Sequence, residues 1–195
     1  MVRLKLVFAA ASRPFEGETA NGDRWSVQHR DGITRVSIID GLGHGAGAEE
    51  VARIAVAALE AAPELGAVDA LLECDRALRG TRGAAASVIV IDTVDGRLDF
   101  AGIGNVAGRL VHPEGEQRLS ADRGIVGVVT RRPHLLSLPL RPGALVLLHS
   151  DGIKERLDPA ALVLAGRSLQ ELADELLATW GRTTDDATLV LAQVE

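Results

Sequence analysis

Four short stretches of this chain gather the residue types that do polar chemistry. Asp40-Gly41-Leu42-Gly43-His44-Gly45 follows the apolar run Val36–Ile39. Ser150-Asp151-Gly152 follows the apolar run Ala144–Leu148 through His149. Asp185-Asp186 stands just before the apolar segment 187–192, and Asn21-Gly22-Asp23 opens an alternating one. Short, stiff carboxylates at the ends of buried strands are the ligands that hard divalent cations take. Glycines beside them let the backbone come close to a ligand and leave carbonyl oxygens within reach.

One pair of these acids can be placed by counting. Segments 23–29 and 33–40 read as strands flanking Asp31-Gly32, a strong two-residue hairpin signal. That turn pairs Arg30 with Ile33, so Asp23 falls opposite Asp40 unless a bulge shifts the register. Their β-carbons would lie about 4.5–5.5 Å apart. Two carboxylates facing each other repel, and a divalent cation between them removes the penalty. Asp31-Gly32 and the similar Asp95-Gly96 are read as turn formers with no chemistry.

The elements that must carry these residues follow from periodicity. Strands are expected over 2–9, 23–29, 33–40, 84–92, 97–102, 105–111, 116–120, 134–140, 144–149 and 187–194. Turns at Asp95-Gly96 and Pro113–Gly115 join two further hairpins. Helices are expected over 46–62, 67–79, 159–165 and 168–180. In the first, apolar residues at 51, 54, 55, 58 and 59 have helical spacing, and Pro63 stops it. The order is not the strand–helix alternation of a doubly wound sheet. It predicts an α+β layered sandwich of antiparallel sheets with helices outside, with residues 1–195 forming one domain.

Composition narrows the class without naming an activity. The 195 residues carry 27 acidic against 21 basic side chains, a formal charge of −6, which argues against nucleic acid and anionic membranes as partners. Aromatic residues are 3 % of the chain, too few for stacking platforms on single strands, so aliphatic residues fill the core. The single cysteine, Cys74, allows neither a disulfide framework nor a thiolate zinc site, and mid-helix it reads as core. The run Leu6–Ala11 is too short to span a bilayer, so a soluble, cytoplasmic protein is expected.

Other motifs fit less well. Gly41–Ala46 matches a relaxed dinucleotide fingerprint, but the aspartate before it would repel a pyrophosphate and the required second strand is missing. No Lys-Ser or Lys-Thr follows the glycines, so a phosphate-binding Walker loop is excluded. Ser150 lacks the G-x-S-x-G elbow of a hydrolase nucleophile. His44 can serve as proton donor, substrate contact or plain loop residue.

The three motifs Asp40–Gly45, Ser150-Asp151-Gly152-Ile153 and Asp185-Asp186-Ala187-Thr188, in that order, resemble the metal-dependent serine/threonine phosphatases of the PPM type, in their bacterial SpoIIE-like branch. Gly102-Ile103-Gly104-Asn105 and the short length are similar to the members that reset the stressosome, a stress-signalling assembly. The resemblance implies two packed antiparallel sheets flanked by helix pairs, with two Mn²⁺ or Mg²⁺ ions at one edge. It implies that Asp40 bridges both ions, that Asp151 and Asp185 complete one site, and that Asp23 and the Gly41 carbonyl serve the other. Asp186 would orient the loop. Eukaryotic relatives also carry a phosphate-gripping arginine near the N-terminus, for which Arg13 and Arg24 are the candidates here, neither in a matching motif. The implied reaction is hydrolysis of phosphoserine or phosphothreonine, with phosphorylated STAS-domain proteins of a stressosome as partners. The alternative is a phosphatase-like module that binds a phosphoprotein without turnover.

Overall fold

The computed structural model describes residues 3–154, 156–157, 162 and 166–195. Among these residues, ten strands and three helices follow one another in chain order. They are β1 (Leu6–Arg13), β2 (Asp23–Arg30), β3 (Ile33–Gly41), α1 (Ala46–Ala61), α2 (Ala67–Ala77), β4 (Ala84–Asp92) and β5 (Arg97–Ile103). Then come β6 (Ala107–His112), β7 (Gly115–Leu119), β8 (Leu136–Pro139), β9 (Leu145–His149), α3 (Leu169–Trp180) and β10 (Ala187–Val194). One sheet has the order β1-β10-β9-β6-β7 and the other β2-β3-β4-β5-β8, all pairs antiparallel.

Side-chain alternation explains the layers. In β4, Ile89 and Ile91 point between the sheets while Ala84, Ala86 and Val88 point to the helices. In β10, Val190, Ala192 and Val194 join the same inter-sheet core, while Leu189 and Leu191 meet α3. Strands covered on both faces read as unbroken apolar runs, which is why 84–91 and 187–192 carry so few polar residues. The helix pair α1 and α2 covers the second sheet, and α3 covers the first. The buried Arg35 of β3 reaches across to donate to the carbonyls of Leu59 and Ala62 at the end of α1, which has no basic residue in its own last turn.

The layered α+β sandwich is therefore the one expected. The first hairpin has the counted register, Arg30 against Ile33 and Asp23 against Asp40. Several boundaries move by one or two residues, and two differences have a visible cause. The first strand runs over 6–13 rather than 2–9, because its partner β10 continues pairing to Ser12–Thr188 and Arg13–Ala187, with the two hydroxyls 2.6 Å apart. The third hairpin turns at Pro113-Glu114, since His112 already pairs with Gly115. The helix expected over 159–165 lies almost wholly outside the described residues, so one helix pair and one single helix are seen among them.

Candidate metal centre

Two close approaches build the acidic edge of the sandwich. A side chain on Gly41 would overlap the carbonyl oxygen of Ala48, so the end of β3 lies directly on the first turn of α1. A side chain on Gly152 would overlap the carbonyl oxygen of Asp186. The turn after β9 is thereby pressed against the start of β10, and Arg182 N–H donates to the Gly152 carbonyl at 2.7 Å. These contacts bring Asp40, Asp151 and Asp185 around one cavity of about 200 Å³, together with Leu42, Gly43, His44, Ala85 and Asn105.

The carboxylates sit in contrasting surroundings. Asp23 is buried, and the Ser150 hydroxyl donates to it at 2.6 Å. Burial pushes Asp23 up to about 7, helped by the charges of Asp186 and Asp151 and opposed by the Ser150 and Thr188 hydroxyls. Burial, then Asp23, Asp151 and Asp185, push Asp40 up to about 9. Asp185 is also raised, by burial and then by Asp151, with Arg182 opposing. Asp151 accepts from the Asn105 amide at 2.5 Å. Asp186 is engaged differently, since its two oxygens accept from the backbone of Phe15 and of Gly22, both at 2.9 Å.

That donor set fits hard divalent cations. Several carboxylates held close, two of them pushed far above the usual carboxylate range, are costly as a bare cluster. A divalent ion inverts the local balance and lets each ionise. Among the described residues, no three acidic, His or Cys side chains already converge on one point, and the carboxylates instead ring the cavity. Mg²⁺ suits such a ring, because it keeps several waters and takes only one or two carboxylates directly.

The other singled-out residues fall into place around this edge. His44 lines the cavity, with its Nδ1 2.5 Å from Glu18 and its ring stacked on Phe15. Arg13 and Arg24 do not line it. Arg13 donates to the Arg182 carbonyl at 2.5 Å, and Arg24 pairs with Glu49 at 2.8 Å in the neighbouring cleft that Asp23 lines. Ser150 is fully buried between Asp23 and the Thr188 amide, which explains why it lacks the features of a nucleophile. Burial pushes the Cys74 thiol up to about 12, as suits a core residue. Glu18 and Phe15 have no place in the sequence motifs, and Asn105 and Ser150 stand in them without a role. Their partners are 26 to 127 residues away in the chain or sit in irregular loops, so no spacing rule reports them.

The relatives of this chain carry the same architecture. Residues 30–195 match the sequence profile described as Stage II sporulation protein E (SpoIIE). The phosphoserine phosphatase RsbX of Bacillus subtilis strain 168 is 27 % identical over 186 residues, covering 92 % of this chain and 90 % of that protein. A chain solved within a study of the bacterial stressosome is 33 % identical and superposes with a TM-score of 0.92, covering 97 % of this chain and all of its own. RsbX in complex with magnesium superposes at 0.88 with 22 % identity, and each chain covers 100 % of the other. With the profile matching most of its length and the two-sheet fold in common, the chain belongs to the SpoIIE family.

Proposed function

We propose that this chain is a protein phosphatase that hydrolyses phosphoserine or phosphothreonine with two divalent ions, Mn²⁺ or Mg²⁺, at the acidic edge. The observation that carries this is the ring of Asp40, Asp151 and Asp185 about one cavity, with Asp23 paired behind Asp40. Asp40 would bridge the ions, with Asp151 and Asp185 on one side and Asp23 and the Gly41 carbonyl on the other. When bound, the ions supply an activated water and neutralise charge on the phosphoryl oxygens.

The chain's own residues do the rest. Ser150 and the hairpin register hold Asp23 against Asp40. Asn105 orients Asp151 through its amide. Asp186 ties down the loop from Phe15 to Gly22. His44 stands at the cavity as a substrate contact or proton carrier. Arg13 and Arg24 stand outside the cavity, held by the Arg182 carbonyl and by Glu49, so the grip on the phosphoryl group falls to the ions and the cavity lining. The buried Cys74 offers no thiolate, so no covalent phospho-enzyme through cysteine enters the reaction.

The relatives' stressosome setting supports phosphorylated STAS-domain proteins of such an assembly as substrates, met in the cytoplasm. Among the described residues, no helix is long and apolar enough to cross a membrane. The test is phosphate release from a panel of phosphorylated stressosome proteins, with and without EDTA. Release from STAS-domain members that EDTA abolishes is expected. A flat profile across the panel contradicts the partner assignment, and release that ignores EDTA contradicts the chemistry.

A further inference from the structure

The loop between β1 and β2 is tied at both ends by one buried carboxylate. Asp186, 3 % exposed, accepts from the Phe15 amide with one oxygen and from the Gly22 amide with the other. Within the loop, the Glu18 amide closes a turn on the Phe15 carbonyl at 3.0 Å. From this fixed base, two side chains converge on one imidazole. The Phe15 ring stacks on His44 with centroids 5.3 Å apart and planes at 22°. Glu18 Oε1 stands 2.5 Å from His44 Nδ1. The Glu18 carboxylate also lies 2.7 Å from where a side chain on Gly45 would begin, so the bare glycine makes room for it.

Stability alone accounts poorly for this convergence. The His44 side chain is 61 % exposed, and exposed ion pairs contribute little to stability. The imidazole does, however, line the same cavity as Asp40, Asp151 and Asp185. With Nδ1 donating to Glu18, the ring is held in one orientation, and Nε2 is the nitrogen left to meet a ligand in that cavity.

We propose that Glu18 is a positioning residue which, with Phe15, holds His44 so that Nε2–H donates its proton to the departing seryl or threonyl oxygen. This rests on the phosphatase reading above. In that step the phosphorus–oxygen bond to the protein hydroxyl breaks and its electron pair stays on that oxygen. The Nε2 proton of the imidazolium moves to it, leaving a neutral ring whose Nδ1–H still donates to Glu18. The attacking water oxygen forms the new bond to phosphorus and gives up its proton to solvent, from which the exposed imidazole is reprotonated. A proton donor matters in proportion to how poorly the leaving group departs alone.

The experiment compares a phosphoseryl peptide with p-nitrophenyl phosphate, whose leaving group needs no proton. The variants are His44→Gln, Glu18→Ala and the conservative Glu18→Gln, all with Mn²⁺ present. On the peptide, His44→Gln is expected to lower kcat about 100-fold and Glu18→Ala on the order of ten-fold, with Glu18→Gln between Glu18→Ala and wild type. On p-nitrophenyl phosphate, the losses should be only a few-fold. Equal losses on both substrates, or no loss on the peptide, would overturn the proton-donor role. Wild-type protein that releases phosphate from neither substrate would instead remove the phosphatase reading itself. The contact has its own readout, the ring ¹⁵N signals of His44 without metal. In the neutral ring Nδ1 should keep the proton in wild type and share it with Nε2 in Glu18→Ala, and identical spectra would overturn the positioning role.

Discussion

Asp-Gly stands at 31–32 and 95–96 at one end of the β2-β3-β4-β5-β8 sheet, and at 40–41 and 151–152 at the other end of the sandwich. At the first end the dipeptide makes turns. Asp31 and Gly32 have φ of 48° and 89°, the left-handed pair that a two-residue hairpin needs, and Gly96 has φ of 63°. At the other end Gly41 and Gly152 have no left-handed backbone and are bare because a neighbouring carbonyl fills the space. The aspartates differ in the same way. Asp31 is exposed, whereas burial and neighbouring carboxylates drive Asp40 far above its ordinary range. One dipeptide therefore serves conformation at one end and close packing beside a charge cluster at the other.

The sharpest way to break this contrast is to neutralise one acid from each end. Asp40→Asn or Asp151→Asn should lower phosphate release about 10³-fold, equivalent to about 4 kcal/mol of barrier, while Asp31→Asn leaves it at the wild-type rate. Steady-state assays on a phosphoseryl peptide decide it, and similar rates for Asp31→Asn and Asp40→Asn would erase the distinction.

The glycines offer a second test, read by urea unfolding. Gly41→Ala or Gly152→Ala forces backbone apart and should cost about 3 kcal/mol or more, or prevent folding. Gly32→Ala meets a left-handed φ and, at 3.3 Å, a Val94 methyl that can give way, and should cost about 1–2 kcal/mol. A reversed ranking would mean that the two ends do not differ as described.

A smaller effect lies in the pH dependence of the metal-free protein. The folded-state values of Asp40 and Asp23 lie above the ordinary 3.8, so the folded state holds their protons more tightly than the unfolded chain does. Their contribution is full below about pH 4 and is lost as pH rises, through about 7 for Asp23 and about 9 for Asp40. In EDTA, Asp40→Asn should melt above wild type, by a margin that grows from about pH 4 to about pH 9. A margin that stays constant, or shrinks, counts against the crowded-carboxylate picture.

Much of the frame could be read from residue order. The Asp31-Gly32 turn and strict alternation placed Asp23 against Asp40 by counting alone, because a hairpin register leaves no freedom once its turn is known. The helix over 46–61 was legible from its apolar spacing and from Pro63. The extent of β1 was not, since Ser12 and Arg13 join the sheet only because Thr188 and Ala187 lie opposite. The loop that carries Phe15 and Glu18 to His44 was equally hidden. It has no periodicity, and what shapes it is Asp186, more than 160 residues away in the chain. Arg13 and Arg24 show the converse: residue type suggested a phosphate grip, but each guanidinium already holds another group and lies outside the cavity.

In the proposed reaction the acidic edge, and not acidity in general, holds the ions. Calorimetric titration of Mn²⁺ into wild type, Asp31→Asn and Asp40→Asn tests it most directly. Wild type and Asp31→Asn should bind two ions with matching heats, and Asp40→Asn should lose binding at both sites if, as proposed, its carboxylate serves both. Undiminished binding of two ions by Asp40→Asn would contradict a metal site at this edge.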